Sequence, residues 1–101
     1  MLKRTDITSY PFFKRLCALP FVEAIYLYGS RARGDHDEWS DVDLAVSCSV
    51  VSAGDWLEVM DIAENADILV DVTCVRFEDI KDPGFRTQIE KDKKLLYEKH
   101  G

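Results

Sequence analysis

No stretch of this sequence approaches the ~20 consecutive apolar residues that a membrane helix needs. The opening residues, MLKRTDITSYPFF, hold no apolar segment of the kind that drives secretion. A cytoplasmic chain with no membrane contact is therefore expected. Cysteine is sparse: Cys17, Cys48 and Cys74 are odd in number, widely spaced, and have neither a CxxC pair nor a histidine cluster beside them. That excludes a disulfide framework and a zinc-ribbon pattern, and leaves reduced thiols acting as small buried hydrophobes. Basic excess is also missing. With 13 Lys and Arg against 19 Asp and Glu, the net charge of −6 argues against non-specific nucleic-acid binding, which needs a basic face. Any phosphate chemistry must then rely on a local site.

The chain has 101 residues and is 47% hydrophobic, with no internal repeat, low-complexity tract or Gly/Ser linker. Residues 1–101 read as a single domain with room for one sheet and its covering helices, an α/β chain. Phe12, Phe13, Leu16 and Leu19 recur at helical spacing over Thr8–Leu19, with Thr8 or Ser9 as N-cap and Pro11 in the first turn. Val22–Tyr28 is rich in β-branched and aromatic residues and predicts a first strand that stops at Gly29. Asp41–Ser47 alternates strictly and predicts a second, with Val42, Leu44 and Val46 on one face and Asp41, Asp43 and Ala45 on the other. Ser52 can cap a helix over Ala53–Glu64 with Trp56, Val59, Met60 and Ala63 as its apolar stripe. Ile68–Val75 predicts a third strand, buried except where Asp71 interrupts it. A short helix over Phe85–Glu90 and an edge strand at Leu95–Tyr97 complete the chain.

The stretch YLYGSRARGDHDEWSDVDLAV, residues 26–46, carries the chemistry. Strand residues i and i+2 share a face about 6.6 Å apart, and a neighbouring strand lies roughly 4.8 Å away, so Asp71 can join Asp41 and Asp43 if the third strand pairs beside the second. Carboxylates at that distance resist ionising together unless a cation lies between them. Two divalent ions about 3.5–4 Å apart are the usual device for clamping the attacking and leaving oxygens of a phosphoryl-type displacement. The alternative is a solvated face of an edge strand, on which the aspartates do nothing but dissolve. Gly29-Ser30 forms a turn whose backbone N–H groups and hydroxyl can approach phosphate oxygens, and Arg31 and Arg33 can offset phosphate charge. The two arginines can equally be ion-paired to Asp35, Asp37 and Glu38, and His36 reads as a surface residue.

Gly29-Ser30, then ten residues, then Asp41-x-Asp43, with Asp71 as a third acidic residue, resembles the signature of the DNA polymerase β-like nucleotidyltransferase superfamily. The string GSRARG…SDVDLAV and the tail DPGFRTQIEKDKKLLYE are similar to its minimal nucleotidyltransferase (MNT) branch. The resemblance implies a palm-like mixed sheet flanked by helices, and transfer of a nucleoside monophosphate from an NTP, ATP above all, with loss of pyrophosphate. It implies two Mg²⁺ ions on Asp41 and Asp43, with Asp71 on the catalytic ion and able to help deprotonate the acceptor. Gly29 and Ser30 would contact the triphosphate, and Arg31 or Arg33 would neutralise it. Phosphoryl-type transfer is mostly positioning and charge neutralisation, so it needs no histidine base.

Larger members of the superfamily add a second domain that holds base and acceptor, and this chain has no room for one. A second copy or another protein must supply that wall, making a homo- or hetero-oligomer possible. MNT proteins resemble antitoxins paired with helical HEPN-domain toxins, which they are thought to adenylylate on tyrosine. Two other classes stay open: a catalytically idle module that covers its partner, and a small-molecule transferase of the aminoglycoside-modifying type. Trp39, beside the DxD strand, is either a partner contact or packed against its own loop.

Overall fold

β-Branched and aromatic residues suit a pleated, half-buried surface, as in AIYLY of the first strand, while VDLAVS of the second alternates apolar residues with Asp43 and Ala45. β1 (Ala24–Tyr28) and β2 (Val42–Ser47) run antiparallel in a register that pairs Ile25 with Val46, Leu27 with Leu44 and Tyr28 with Asp43. The computed structural model describes residues 4–35, 37 and 39–99. His36 and Glu38 lie outside the described residues, and with them their proposed surface and ion-pair roles.

From β2 the chain crosses through α3 (Ala53–Glu64) into β3 (Val72–Arg76), which lies parallel to β2 with Val42 opposite Val72. Parallel neighbours need such a crossover, and a helix is the usual one. α3 opens with a capping box: the Ser52 hydroxyl accepts from the Asp55 N–H at 3.0 Å, and the Asp55 carboxylate accepts from the Ser52 N–H at 3.3 Å. β4 (Lys94–Glu98) pairs antiparallel with the far side of β1. The sheet is mixed, in the order β3-β2-β1-β4. The expected palm-like α/β fold is present.

The two faces of the sheet are filled differently. Ile25, Leu27, Val42, Leu44, Val46 and Cys74 form the main core with Phe12, Phe13 and Leu16 of α1 (Pro11–Ala18) and Val59, Ile62 and Ala63 of α3. The opposite face carries Tyr26, Tyr28, Asp43 and buried Ala45. It is partly roofed by a one-turn 3-10 helix at Phe77–Asp79 and by α4 (Pro83–Asp92). Tyr26 tilts against Phe77 at 5.7 Å between ring centroids, and Tyr28 meets Phe85 edge-on at 5.8 Å.

Several expectations need correction. The N-terminal helical segment is two pieces, a 3-10 helix at Arg4–Ser9 and then α1, whose N-cap is Tyr10 with no side-chain cap. Pro11 fits the first turn of α1 and cannot continue an earlier helix, because it has no N–H to donate. On α3 the buried stripe is Val59, Ile62 and Ala63, while Met60 is 41% exposed. The third strand starts at Val72, so Ile68–Val70 precede it and Leu69 is 89% exposed. Composition favoured an earlier strand start, but β2 begins at Val42 and offers nothing further to pair with. Asp71 is accordingly exposed at the strand's mouth and is not a charge inside a buried run. The three thiols are free, Cys48 and Cys74 buried and Cys17 only partly so. No helix among the described residues is long and apolar enough to cross a membrane.

Losing the capping box tests the crossover. Ser52→Ala should cost about 1 kcal/mol in urea denaturation, with an unchanged m-value. No measurable cost would mean that packing alone fixes the start of α3.

Candidate active site

β1 delivers Tyr28 beside Asp43 and then turns at Gly29, whose φ of 76° and ψ of −157° belong to a region that only glycine occupies without strain. A second reason for glycine is space. A Cβ at this position would lie 2.5 Å from Oδ2 of Asp43, so the backbone of the turn is pressed directly against that carboxylate. Ser30 then opens α2 (Ser30–Arg33), and Gly34 closes it in the left-handed region at φ 86°, its N–H donating to the Ser30 carbonyl at 2.9 Å. The Gly29 carbonyl accepts from the N–H groups of both Ala32 and Arg33 at 3.1 Å.

The loop back to β2 holds itself. Trp39 N–H donates to the Asp37 carboxylate at 2.8 Å, and Asp37 N–H donates to the Ser40 hydroxyl at 3.1 Å. Arg31 ties this loop to α2: fully buried, it donates from Nε and Nη2 to the Ser40 carbonyl at 3.1 and 2.6 Å. A buried guanidinium bound to a carbonyl is a brace, a role distinct from the phosphate contact and the loop ion pair that the sequence suggests. Arg33 is exposed and pairs with Asp35 at 3.1 Å and Asp92 at 3.2 Å. The Asp35 pair matches one of the two readings open for the arginines, whereas the bond to Asp92 ties α2 to the end of α4. Trp39 is 67% exposed, so its indole is not buried against its own loop.

Asp41 is exposed and Asp43 half-buried. Burial raises the pKa of Asp43, and the Asp41 charge raises it further, while Arg31 and Arg33 pull the other way. Tyr28 is pushed up to about 12, first by burial and then by the Asp43 charge. Asp71 is brought alongside by the ladder: its carbonyl accepts from Val42 N–H at 2.9 Å, and the register continues one step to set Asp71 opposite Asp41. Asp43 faces Thr73 across the same ladder. The three aspartates thus share one end of the sheet. Among the described residues, however, no three acidic, histidine or cysteine groups are close enough to hold a metal between them.

That arrangement fits magnesium better than it fits a closed metal cage. Mg²⁺ is bound through one or two carboxylates and completes its shell with waters and substrate phosphates. Asp41 and Asp43 are hard oxygen donors, and among the described residues no hydrogen bond occupies Asp43. A raised carboxylate with no donor is a group that a cation would relieve. Tyr28 and Asp92 were not anticipated as part of this surround. The alternation of VEAIYLY sets Tyr26 and Tyr28 on one face, but only the β1–β2 register reveals that Tyr28 meets Asp43.

Residues 14–101 match the family model described as polymerase beta, nucleotidyltransferase. Among solved structures, a toxin–antitoxin crystallised with AMP-PNP superposes with a TM-score of 0.66 at 23% identity, covering 97% of this chain and 75% of that one. A mutant of the MntA-HpeT toxin–antitoxin gives 0.63 at 20% identity over 97% and 75%. A candidate nucleotidyltransferase from Sulfolobus solfataricus gives 0.57 at 24% identity over 94% and 81%. At these identities the likeness is one of fold. No curated protein matches the sequence.

Two substitutions separate strain from charge. Gly29→Ala should destabilise the chain by about 1–3 kcal/mol, because it adds strain and drives a Cβ into Asp43. Asp43→Asn should instead stabilise it. The sign follows from linkage: folding raises the Asp43 pKa above 3.8, so the folded state disfavours the ionised form. That penalty is absent below the ordinary value and fully present above the raised one. The thermal-midpoint gap between Asp43→Asn and wild type should therefore widen as pH rises through this window. A gap that narrows would show Asp43 to be stabilised as the anion.

Proposed function

The chain belongs to the polymerase beta nucleotidyltransferase family, and we propose that it transfers AMP from ATP to a hydroxyl of a partner protein. It would do so as the antitoxin of a toxin–antitoxin pair whose toxin is a helical HEPN-type protein. The observation that carries this reading is the contact of Gly29 with Asp43, with Asp41 beside it. A phosphate-accepting turn and an electrostatically strained carboxylate are pressed together where a nucleoside triphosphate would bridge them. Two of the structural likenesses support the rest, since one is a toxin–antitoxin holding an ATP analogue and the other a MntA-HpeT pair.

In this reading Gly29 and Ser30 receive the β and γ phosphates through backbone N–H groups and the Ser30 hydroxyl. Arg33 contributes positive charge from outside, and Arg31 acts at one remove by holding the loop on which Asp41 begins. Asp41 and Asp43, with Asp71, would hold Mg²⁺, which supplies charge neutralisation at the transferring phosphorus. Asp71 is exposed at the strand mouth, so it can take the acceptor's proton as its oxygen attacks. The new O–P bond forms at the α-phosphorus while the bond to the bridging oxygen breaks, and pyrophosphate leaves.

A chain lacking one metal carboxylate would be an idle cover for its partner. All three are present at one end of the sheet, which favours catalysis. An aminoglycoside-type activity would need an acceptor wall, and the described fold contributes none.

Titration calorimetry with ATP and Mg²⁺ tests the reading. Asp41→Asn and Asp43→Asn should each weaken metal-dependent ATP binding at least ~10-fold, and α-labelled ATP should leave label on the cognate toxin. Intact binding in Asp43→Asn would sink the proposal. Label on tyrosine or small hydroxyl compounds at rates matching the protein would move the chain to the small-molecule class.

A further inference from the structure

Asp71 stands at the mouth of an edge strand. Among the described residues β3 pairs only with β2, so its other side is an open ladder. The bond from Val42 N–H to the Asp71 carbonyl fixes the phase of that ladder. In a parallel pair successive residues alternate, so Thr73 and Val75 face β2 while Val72, Cys74 and Arg76 direct N–H and C=O to the free edge.

The other edge of the sheet is guarded differently. β4 carries Lys94 and Glu98, with Lys99 following, the charges by which edges commonly resist added strands. β3 reads VTCV before Arg76, and the Arg76 guanidinium is turned back onto the Cys48 carbonyl at 2.9 Å and the Ser49 carbonyl at 3.1 Å. Two grooves flank this edge, one mainly apolar with charged residues such as Lys81 and Asp82 in its lining, the other mixed. One, of about 450 Å³, is lined by Trp56, Met60, Cys74, Val75, Ile80 and Phe85. A second of similar volume continues past Met60 to Ile68, Val70 and Asp71. Its rim is acidic, with Glu64 and Asp71 both exposed on a chain of net charge −6.

Direction decides the occupant. The Gly29–Ser30 turn ends β1, Asp41 and Asp43 stand at the start of β2, and Asp71 immediately precedes β3. In-line displacement puts the acceptor oxygen opposite the leaving group. With pyrophosphate held at the β1 side, the acceptor must enter from the β3 side.

We infer that the acceptor-bearing partner docks on β3 by strand addition: an extended segment of basic and apolar residues pairs with Val72, Cys74 and Arg76 and brings its hydroxyl to Asp71. This mode gives affinity through main-chain hydrogen bonds and specificity through alternate side chains, here apolar ones in the Met60–Phe85 grooves and cationic ones at the acidic rim. It rests on the proposed transfer reading for the role of the hydroxyl, which loses its proton to Asp71 as its oxygen bonds the α-phosphorus of ATP and pyrophosphate departs.

The probe is the peptide acetyl-Lys-Val-Tyr-Val-Lys-amide, alongside a version N-methylated at all five residues, which has no interior N–H on either edge with which to pair as a strand. With the full chain at peptide tenfold above its Kd, amide exchange at Val72, Cys74 and Arg76 should slow roughly tenfold. The methylated peptide should leave it unchanged, and only the unmethylated one should accept label from α-labelled ATP. Unchanged exchange at these amides in a chain that still binds ATP with Mg²⁺ overturns strand docking and leaves the transferase reading standing. Protection that needs no peptide and grows with protein concentration overturns it in favour of a second copy on the same edge. A chain that does not bind ATP with Mg²⁺ fails the transferase reading, and the acceptor role of this edge falls with it.

Discussion

The site depends on keeping one carboxylate where it does not want to be charged. Asp43 is half removed from water, sits beside Asp41, and has the backbone of Gly29 against it in place of a side chain. Every neighbour answers that constraint. Gly29 is glycine because any Cβ would meet Oδ2, and its positive φ turns the chain at once into α2. Arg31 and Arg33 lower the cost electrostatically, while one guanidinium donates to the Ser40 carbonyl and the other pairs with Asp35 and Asp92. The carboxylate is thus tempered but left with unused lone pairs.

The other end of β2 shows what a purely structural carboxylate looks like. Glu78 is also pushed up by burial, but the Ser47 hydroxyl donates to it at 2.6 Å and Cys48 N–H at 3.0 Å, and its net pKa is lowered. Folding therefore favours the Glu78 anion, a contribution present above the ordinary glutamate value and lost as pH falls through the lowered one. Asp43 has the opposite sign. Glu78, on the 3-10 helix, is satisfied by the end of β2, whereas the carboxylate of Asp43, on β2 itself, accepts no hydrogen bond among the described residues.

Much of the sheet was legible because its information is local. The alternation of DVDLAVS fixed which residues of β2 face the core, and Ser52 marked the start of α3. The β3 boundary was not legible, because Ile68–Val70 are as β-prone as the strand itself and only the length of β2 decides where pairing begins. Gly29, Asp41 and Asp43 could be picked out as a candidate site from the glycine turn, the strand alternation and the family resemblance together, not from spacing alone. The buried state of Arg31 could not, since its partner is a backbone carbonyl nine residues away, and carbonyls leave no trace in sequence.

The asymmetry of the two faces follows from the same division. A closed core of Ile25, Leu27, Leu44 and Val46 under α1 and α3 holds the sheet, so the opposite face need not be dry to be stable. Aromatic contacts from Phe77 and Phe85 cover Tyr26 and Tyr28 and stop there, leaving Asp43, Thr73 and the mouth of β3 beyond them. Extending that roof would bury three aspartates without donors, at a cost of several kcal/mol for each ion. Closing this end with the chain's own residues would therefore destabilise the fold, and the cation with phosphate oxygens proposed above is the kind of cover that would remove the cost.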